Sequence, residues 1–150
     1  MPTPIYFLSR AEAEKCAFRL VAYSSAIFPN LNEQSSSVYV DIADIAVLFA
    51  INARRCLDMQ KSDPEITFQR WSYEHHESRV YETNLRRALN GIIHAEDVTV
   101  SFNDSPEILY DDADNKICPF LSYKTDRYPK TFVDIFGMAW AFLNTTPLEE

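Results

Sequence analysis

One segment combines three side chains that could act together on a phosphate group. The stretch LRRALNGIIHA places Arg87, Asn90 and His94 on one predicted helix. At about 100° per residue, the seven steps from the arginine to the histidine make about two full turns, so both side chains lie on one line of the helix surface. A histidine exchanges protons near neutral pH, an arginine forks onto phosphate oxygens, and an asparagine can fix the imidazole tautomer. These properties suit metal-independent cleavage of RNA.

In that reaction, His94 would assist attack by the ribose 2′-hydroxyl, and Arg87 would stabilise the charged phosphorane. We expect further substrate contacts from three residues near the same side of the helix: Arg79, Thr83 and Arg86. The opposite side carries apolar residues at spacings of three and four, which predict a core-facing stripe: Tyr81, Leu85, Ala88, Leu89 and Ile92. The alternative is that the polar side is a solvated or dimer-contacting face without chemistry.

The elements that would position this helix can be predicted from apolar spacing and cap residues. Four helices are expected at 9–28, 38–59, 73–95 and 131–144. Ser9 with Glu12 forms a predicted capping box for the first, and Thr131 is the predicted cap of the last. Three segments have strand-like composition: 66–71, 97–102 and 118–125. We therefore predict a mainly α fold over residues 1–150, a single domain in which a four-helix bundle has a small β-hairpin or sheet inserted before the last helix.

The composition limits the classes of function. The 14 basic and 22 acidic residues give a net charge of −8, which argues against a broad nucleic-acid-binding surface and leaves room only for a local basic patch. The chain has two glycines, which argues against a glycine-rich phosphate loop. The three cysteines are widely spaced and predict reduced, buried thiols. Because neither a signal-peptide pattern nor a bilayer-length apolar run is present, we expect a cytoplasmic protein without membrane contact.

Two segments resemble metal sites without meeting the requirements of one. In YEHHES, residues 73–78, adjacent side chains of the predicted helix point about 100° apart and cannot chelate one ion as a unit. DDADN, residues 111–115, resembles the opening of a calcium loop, but the glycine and the glutamate that complete such a loop are missing. We therefore predict no metal site and no cofactor.

The segment LRRALNGIIHA also resembles the signature of the HEPN superfamily, in which an arginine, four to six intervening residues and a histidine lie on one helix. Arg87 and His94 are separated by six residues, and the ending NxIIHA is similar to that of bacterial HEPN-like proteins. The resemblance implies a small helical bundle that forms a homodimer, so that two copies of the motif face one composite cleft. Catalytic members are RNases, often toxins or phage-defence effectors, which implies RNA or a nucleotide as ligand and a cognate antitoxin or defence protein as partner.

Two functions remain open from the sequence. The first is a metal-independent endoribonuclease of a toxin or phage-defence system, with His94 as general acid and base, Arg87 as phosphate ligand and Asn90 as orienting residue. The second is a non-catalytic HEPN-like module that binds a nucleotide or a protein, or forms a dimer, through the same face. The collinear arginine and histidine favour the first. Ala88, at a position where catalytic members usually carry a polar residue, and the acidic net charge favour the second.

Overall fold

The computed structural model describes residues 3–29, 36–72, 78–106 and 115–149. Within these ranges there are four helices: α1 Pro4–Ser25, α2 Ser36–Gln60, α3 Leu85–Ile93 and α4 Ile135–Leu143. The same ranges contain seven strands: β1 Phe28–Pro29, β2 Val80–Tyr81, β3 Asp97–Val100, β4 Asn103–Asp104, β5 Asn115–Ile117, β6 Phe120–Lys124 and β7 Thr131–Asp134.

The two long helices, α1 and α2, form the centre of the helical layer. They pack along each other, α4 packs on α1, and α3 packs on α2. Leu20, Phe49 and Phe142 are fully buried between them, and the last two rings meet edge to face at 5.6 Å. Edge-to-face contact is a favoured arrangement of aromatic rings, and it fixes α4 against α2.

A buried arginine joins one end of this layer. The guanidinium of Arg10 lies 4.3 Å from the ring centroid of Phe142 and donates to Gln60 Oε1 at 3.1 Å and to Thr145 Oγ1 at 2.8 Å. Its Nε also contacts Glu14 at 2.7 Å. Gln60 is the last residue of α2, and Thr145 lies just after α4. Arg10 therefore connects α1 to the ends of both helices.

A four-stranded mixed sheet lies beside the helices in the order β2-β7-β6-β3. β6 pairs antiparallel with both β3 and β7, whereas β2 pairs parallel with β7. A second sheet, entirely antiparallel, has the order β1-β5-β4. The protein is therefore an α+β fold, and the prediction of a four-helix bundle with a β-hairpin or small sheet insertion is wrong.

The predicted last helix shows one reason for the error. Its first four residues, Thr131–Asp134, form β7, which is buried along its whole length and lies between β2 and β6. A strand covered on both faces is a short apolar run without alternation, so its periodicity does not separate it from a helix. The helix begins after Asp134, whose Oδ1 accepts from the Gly137 N–H at 2.6 Å. Asp134, and not Thr131, is the cap.

The predicted third helix is shortened for a similar reason. Residues 73–77 lie outside the described part of the chain, and Val80–Tyr81 pair with β7 instead of continuing a helix. Tyr81 is thus a strand residue and not the first member of the helical stripe. Leu85, Ala88, Leu89 and Ile92 are buried in the core as predicted.

The remaining predicted elements have mixed outcomes. The second helix and the strands near 97–102 and 118–125 are confirmed as α2, β3 and β6. The first helix starts at Pro4 with Thr3 as its cap, so the capping box at Ser9 is wrong; Ser9 is buried inside α1. The predicted strand at 66–71 is absent, and this part of the chain is tied to the rest by an isolated bridge between Glu65 and Asn84.

Gly91 gives a test of how α3 is held against the sheet. A Cβ atom at this position would overlap the ring of Tyr123 on β6. Alanine in a helix is favoured over glycine by about 1 kcal/mol, but overpacking a core costs about 1–3 kcal/mol. We expect Gly91→Ala to lower the free energy of unfolding, measured by urea denaturation, despite the better helix propensity.

The control is a double-mutant cycle with Tyr123→Leu, which shortens the obstructing side chain. If the ring is the cause, Gly91→Ala should cost less in the Tyr123→Leu background than in the wild type. An equal cost in both backgrounds would contradict this explanation.

Candidate functional site: the polar face of α3

The start of α3 is fixed by side-chain hydrogen bonds. Asn84 is its cap, and its Oδ1 accepts from the Arg87 N–H at 3.0 Å. The Asn84 Nδ2 donates to Asp63 Oδ1 at 2.9 Å and to Glu65 Oε1 at 3.2 Å. Glu82 Oε2 accepts from the backbone N–H of Asn84 at 3.1 Å. An asparagine cap satisfies an N–H that the helix leaves unpaired, so this cluster determines where the helix begins.

Arg87 projects from the first turn toward solvent. Its side chain is 69% exposed, and its Nε contacts Glu82 Oε2 at 3.3 Å. In the described part of the chain, its two terminal nitrogens make no hydrogen bond. The guanidinium therefore keeps donors that could fork onto an oxyanion, although the neighbouring carboxylate weakens its positive potential.

Asn90 lies between the two other predicted catalytic residues along α3. Its side-chain Oδ1 is buried and has no hydrogen-bond partner among the described residues. A buried acceptor without a partner costs free energy, and native structures usually satisfy such atoms with protein, water or ligand. Asn90 therefore offers an unused acceptor on this helix.

His94 lies at the C-terminal end of α3. It is the cap residue, with φ −98° and ψ 7°, and its backbone N–H donates to Asn90 O at 3.0 Å. The residue is exposed, and its imidazole makes no hydrogen bond or ion pair within the described ranges. At a rise of about 1.5 Å per residue, it lies about 10 Å from Arg87 along the helix axis. The two are on one helix, but they do not contact each other directly.

The other predicted substrate-binding residues are engaged elsewhere. Arg86 turns toward α2, where it forms an ion pair with Asp58 and donates to Ser62 O at 3.4 Å. The guanidinium of Arg79 lies 4.6 Å from the ring centroid of Phe132. Thr83 is exposed and, like Arg79, precedes α3, so the expectation that both lie on the helix surface is wrong. Of the predicted residues, Arg87, Asn90 and His94 remain along one side of α3, and we call these three residues the α3 polar face.

The structure also contains an open hollow that the sequence analysis missed. It has a volume of about 610 Å³ and is lined by residues of α1 and α2: Tyr23, Ser37, Val38, Val40, Asp41 and Asp44. Asp41 accepts from the Tyr23 hydroxyl and from Arg19 at 3.1 Å, and the hydrogen bond to Asp41 raises the pKa of Tyr23. Residues of α1 and α2 are far apart in the sequence, and no spacing pattern indicates that they meet. Only the fold reveals this cluster.

Metal binding has no geometric support in the described residues. Within them, no group of three or more histidine, cysteine, aspartate or glutamate side chains could hold an ion. The histidine pair of residues 73–77 and most of the acidic segment 111–115 lie outside the described residues. The absence of a metal site therefore stays a prediction.

The three cysteines are buried and unpaired, as predicted. Burial raises the pKa of Cys118 from 9.0 to about 12 and that of Cys56 to about 11. Burial also raises the pKa of Cys16, with a smaller contribution from Glu12. Thiols that stay protonated are poor nucleophiles and poor metal ligands, so these residues act as small core side chains.

A thiol whose pKa is raised by folding makes stability depend on alkaline pH. Below pH 9 the thiol is protonated in both states; above it the unfolded chain ionises first, and stability falls until the folded pKa of about 12 is reached. We expect the free energy of unfolding to fall between pH 9 and 10.5, and Cys118→Ala to reduce the slope by up to about 1.4 kcal/mol per pH unit. Urea titrations at the two pH values measure this. An unchanged slope in Cys118→Ala would contradict it.

A scan against protein-family models, a search of curated proteins and a search of solved structures each gave no significant match. These comparisons therefore neither support nor oppose membership of the HEPN superfamily. Among the described residues, no helix combines the length and the apolar character needed to span a bilayer.

Proposed function

We propose that the α3 polar face binds a phosphate-bearing ligand, with single-stranded RNA as the principal candidate and a free nucleotide as the smaller equivalent. The observation that carries this proposal is the exposed guanidinium of Arg87, whose terminal nitrogens have no partner among the described residues. Arginine recognises phosphate through two parallel hydrogen bonds from these nitrogens. The Oδ1 of Asn90 is buried, so the proposal rests on Arg87 and not on this acceptor.

Binding is better supported than catalysis by the surroundings of these residues. Glu82, at 3.3 Å, competes with a phosphate for Arg87, whereas a catalytic guanidinium works best in a desolvated site without a competing carboxylate. His94 is exposed and is not held by a hydrogen bond in the described part of the chain. Ala88, the residue that follows the arginine, is fully buried and cannot contribute to the face.

A metal-independent endoribonuclease is the second candidate function. The specific observation in its favour is that His94 is exposed and that its imidazole has no hydrogen bond or ion pair among the described residues. About 10 Å of helix separates the histidine from Arg87, and the HEPN resemblance implies a composite site to which two copies of the chain each contribute this pair. The HEPN resemblance adds further parts to this proposal: membership of that superfamily, a homodimer, a toxin or defence role, and an antitoxin or defence protein as partner. A cytoplasmic location is also part of it.

The binding function predicts a specific loss on removal of one side chain. We expect Arg87→Ala to weaken binding of a fluorescent single-stranded RNA about tenfold or more, since a hydrogen bond to a charged group contributes about 1.5–3 kcal/mol. The slope of log affinity against log salt should fall by about one phosphate contact. Fluorescence anisotropy at several salt concentrations measures both.

Two further variants make this experiment specific. Arg127→Ala removes an exposed arginine elsewhere and should leave affinity nearly unchanged. Glu82→Gln removes the competing negative charge while keeping a carbonyl oxygen for the backbone N–H groups, and it should strengthen binding. If the wild type does not bind, or if Arg87→Ala and Arg127→Ala weaken binding equally, the proposed function is wrong.

The endoribonuclease candidate has its own test. If it is correct, the wild type should cleave RNA in EDTA and leave 2′,3′-cyclic phosphate ends, and His94→Ala should abolish cleavage while retaining the far-ultraviolet circular dichroism spectrum. Gel electrophoresis with end-group analysis reads both outcomes. Absence of cleavage by the wild type across several RNAs would exclude this candidate and leave the binding function.

A further inference from the structure

One side of α2 carries four exposed residues in a regular spacing. Asp44, Leu48, Ile51 and Arg55 follow each other at spacings of four, three and four residues, and all four are exposed. Leu48 and Ile51 are each 43% exposed, whereas Phe49, on the other side of the same helix, is fully buried. Residues at such spacings lie on one side of a helix. We call these four residues the α2 outer stripe.

The pattern of the stripe is that of a seam between two helices. Alternating spacings of three and four place apolar side chains where they insert between those of a facing helix. Here two branched apolar residues occupy the middle and two opposite charges occupy the ends. An exposed stripe of this kind has the spacing that a facing helix can cover.

The order of the residues makes the stripe complementary to itself. If two copies of α2 cross antiparallel about a two-fold axis between residues 49 and 50, Leu48 of each copy faces Ile51 of the other. The same axis places Asp44 of each copy opposite Arg55 of the other. An isologous interface requires a surface patch that fits its own rotated copy, and this stripe meets that requirement in both apolar contact and charge.

The charges at the ends of the stripe are available for this contact. On the same helix, Asp41 pairs with Arg19, and both Arg54 and Arg86 pair with Asp58. Neither residue at the ends of the stripe has an ion pair among the described residues; the guanidinium of Arg55 donates only to the hydroxyl of Ser9, at 3.1 Å. Among the described charged residues of α2, Asp44 and Arg55 are therefore the two without an ion pair. The two-fold arrangement would pair them with each other.

α1 enlarges the same surface. The hydrogen bond between Arg55 and Ser9 places α1 beside the stripe, and Ile5, one turn before Ser9, is 57% exposed. A stable dimer generally needs about 800 Å² per partner, which one helix stripe alone does not supply. The interface therefore has to include the part of α1 beside the stripe.

We propose that the α2 outer stripe is the interface of a homodimer, with two copies of α2 crossing antiparallel and Asp44 pairing with Arg55 of the second copy. This interface lies apart from the α3 polar face, so the proposed dimer goes beyond the proposed function and does not depend on RNA binding. An RNA-binding assay and a measurement of mass therefore report failures of the two proposals separately.

The test is a charge-reversal experiment followed by sedimentation velocity over a range of protein concentrations. Asp44→Arg places like charges together twice in each dimer, and so does Arg55→Asp; each should raise the dimer dissociation constant about tenfold or more. The double variant Asp44→Arg/Arg55→Asp restores opposite charges at both contacts. Its dissociation constant should return closer to that of the wild type than either single variant. Asp126→Arg, an exposed reversal in the loop after β6, is the matched control and should leave dimerisation unchanged.

A second variant tests the apolar middle of the stripe. Leu48→Lys/Ile51→Lys should yield a monomer, with an unchanged circular dichroism spectrum because both side chains project away from the core. A wild type that remains a monomer at high micromolar concentration would overturn the proposal. A dimer that both single reversals leave intact would overturn it too, as would a double variant weaker than either single reversal.

Discussion

The close approach of α3 to the four-stranded sheet determines which side of this helix faces solvent. Gly91 packs directly against the ring of Tyr123, and no side chain fits between them. This contact fixes the rotation of a short helix about its axis, since Leu85 and Leu89 must then point into the core. Arg87 and His94 are left on the outer side, where both are exposed. The orientation of the α3 polar face is therefore a consequence of packing on its opposite side.

A second close approach holds the last helix in place. A Cβ atom at Gly137 would meet the backbone carbonyl of Phe68, so only glycine allows the irregular segment after α2 to cover the start of α4. Asp134 ends β7 and caps α4 with a hydrogen bond of 2.6 Å to the same glycine. The strand therefore passes into the helix without an intervening loop. Both glycines of the chain are explained by close approach and not by turns.

The pairing of local charges explains why the guanidinium of Arg87 can still bind a phosphate in a protein with a net negative charge. Most described arginines near α2 and α3 have carboxylate partners, so the surface there is largely neutralised. Arg87 pairs with Glu82 through its Nε only, so its terminal nitrogens are left without a partner among the described residues. Such an arrangement suits binding of one phosphate at a defined position better than binding along an extended polyanion. Asp44 and Arg55, the charges of the α2 outer stripe, belong to a different surface from Arg87.

The sequence by itself determined the long second helix, the buried stripe of α3, the two strands near 97–102 and 118–125, and the burial of the cysteines. These follow from local spacing and from the small, apolar character of the residues. Only the tertiary structure decided that Thr131–Asp134 is a strand, that the third helix begins at Leu85, and that Arg86 is committed to Asp58. Strand pairing joins residues far apart in the chain, and a buried strand carries no period of its own. The ion-pair partners of a charged side chain likewise depend on which elements the fold brings together. Residue spacing in the sequence therefore could not predict which charges of the candidate sites are left without a partner.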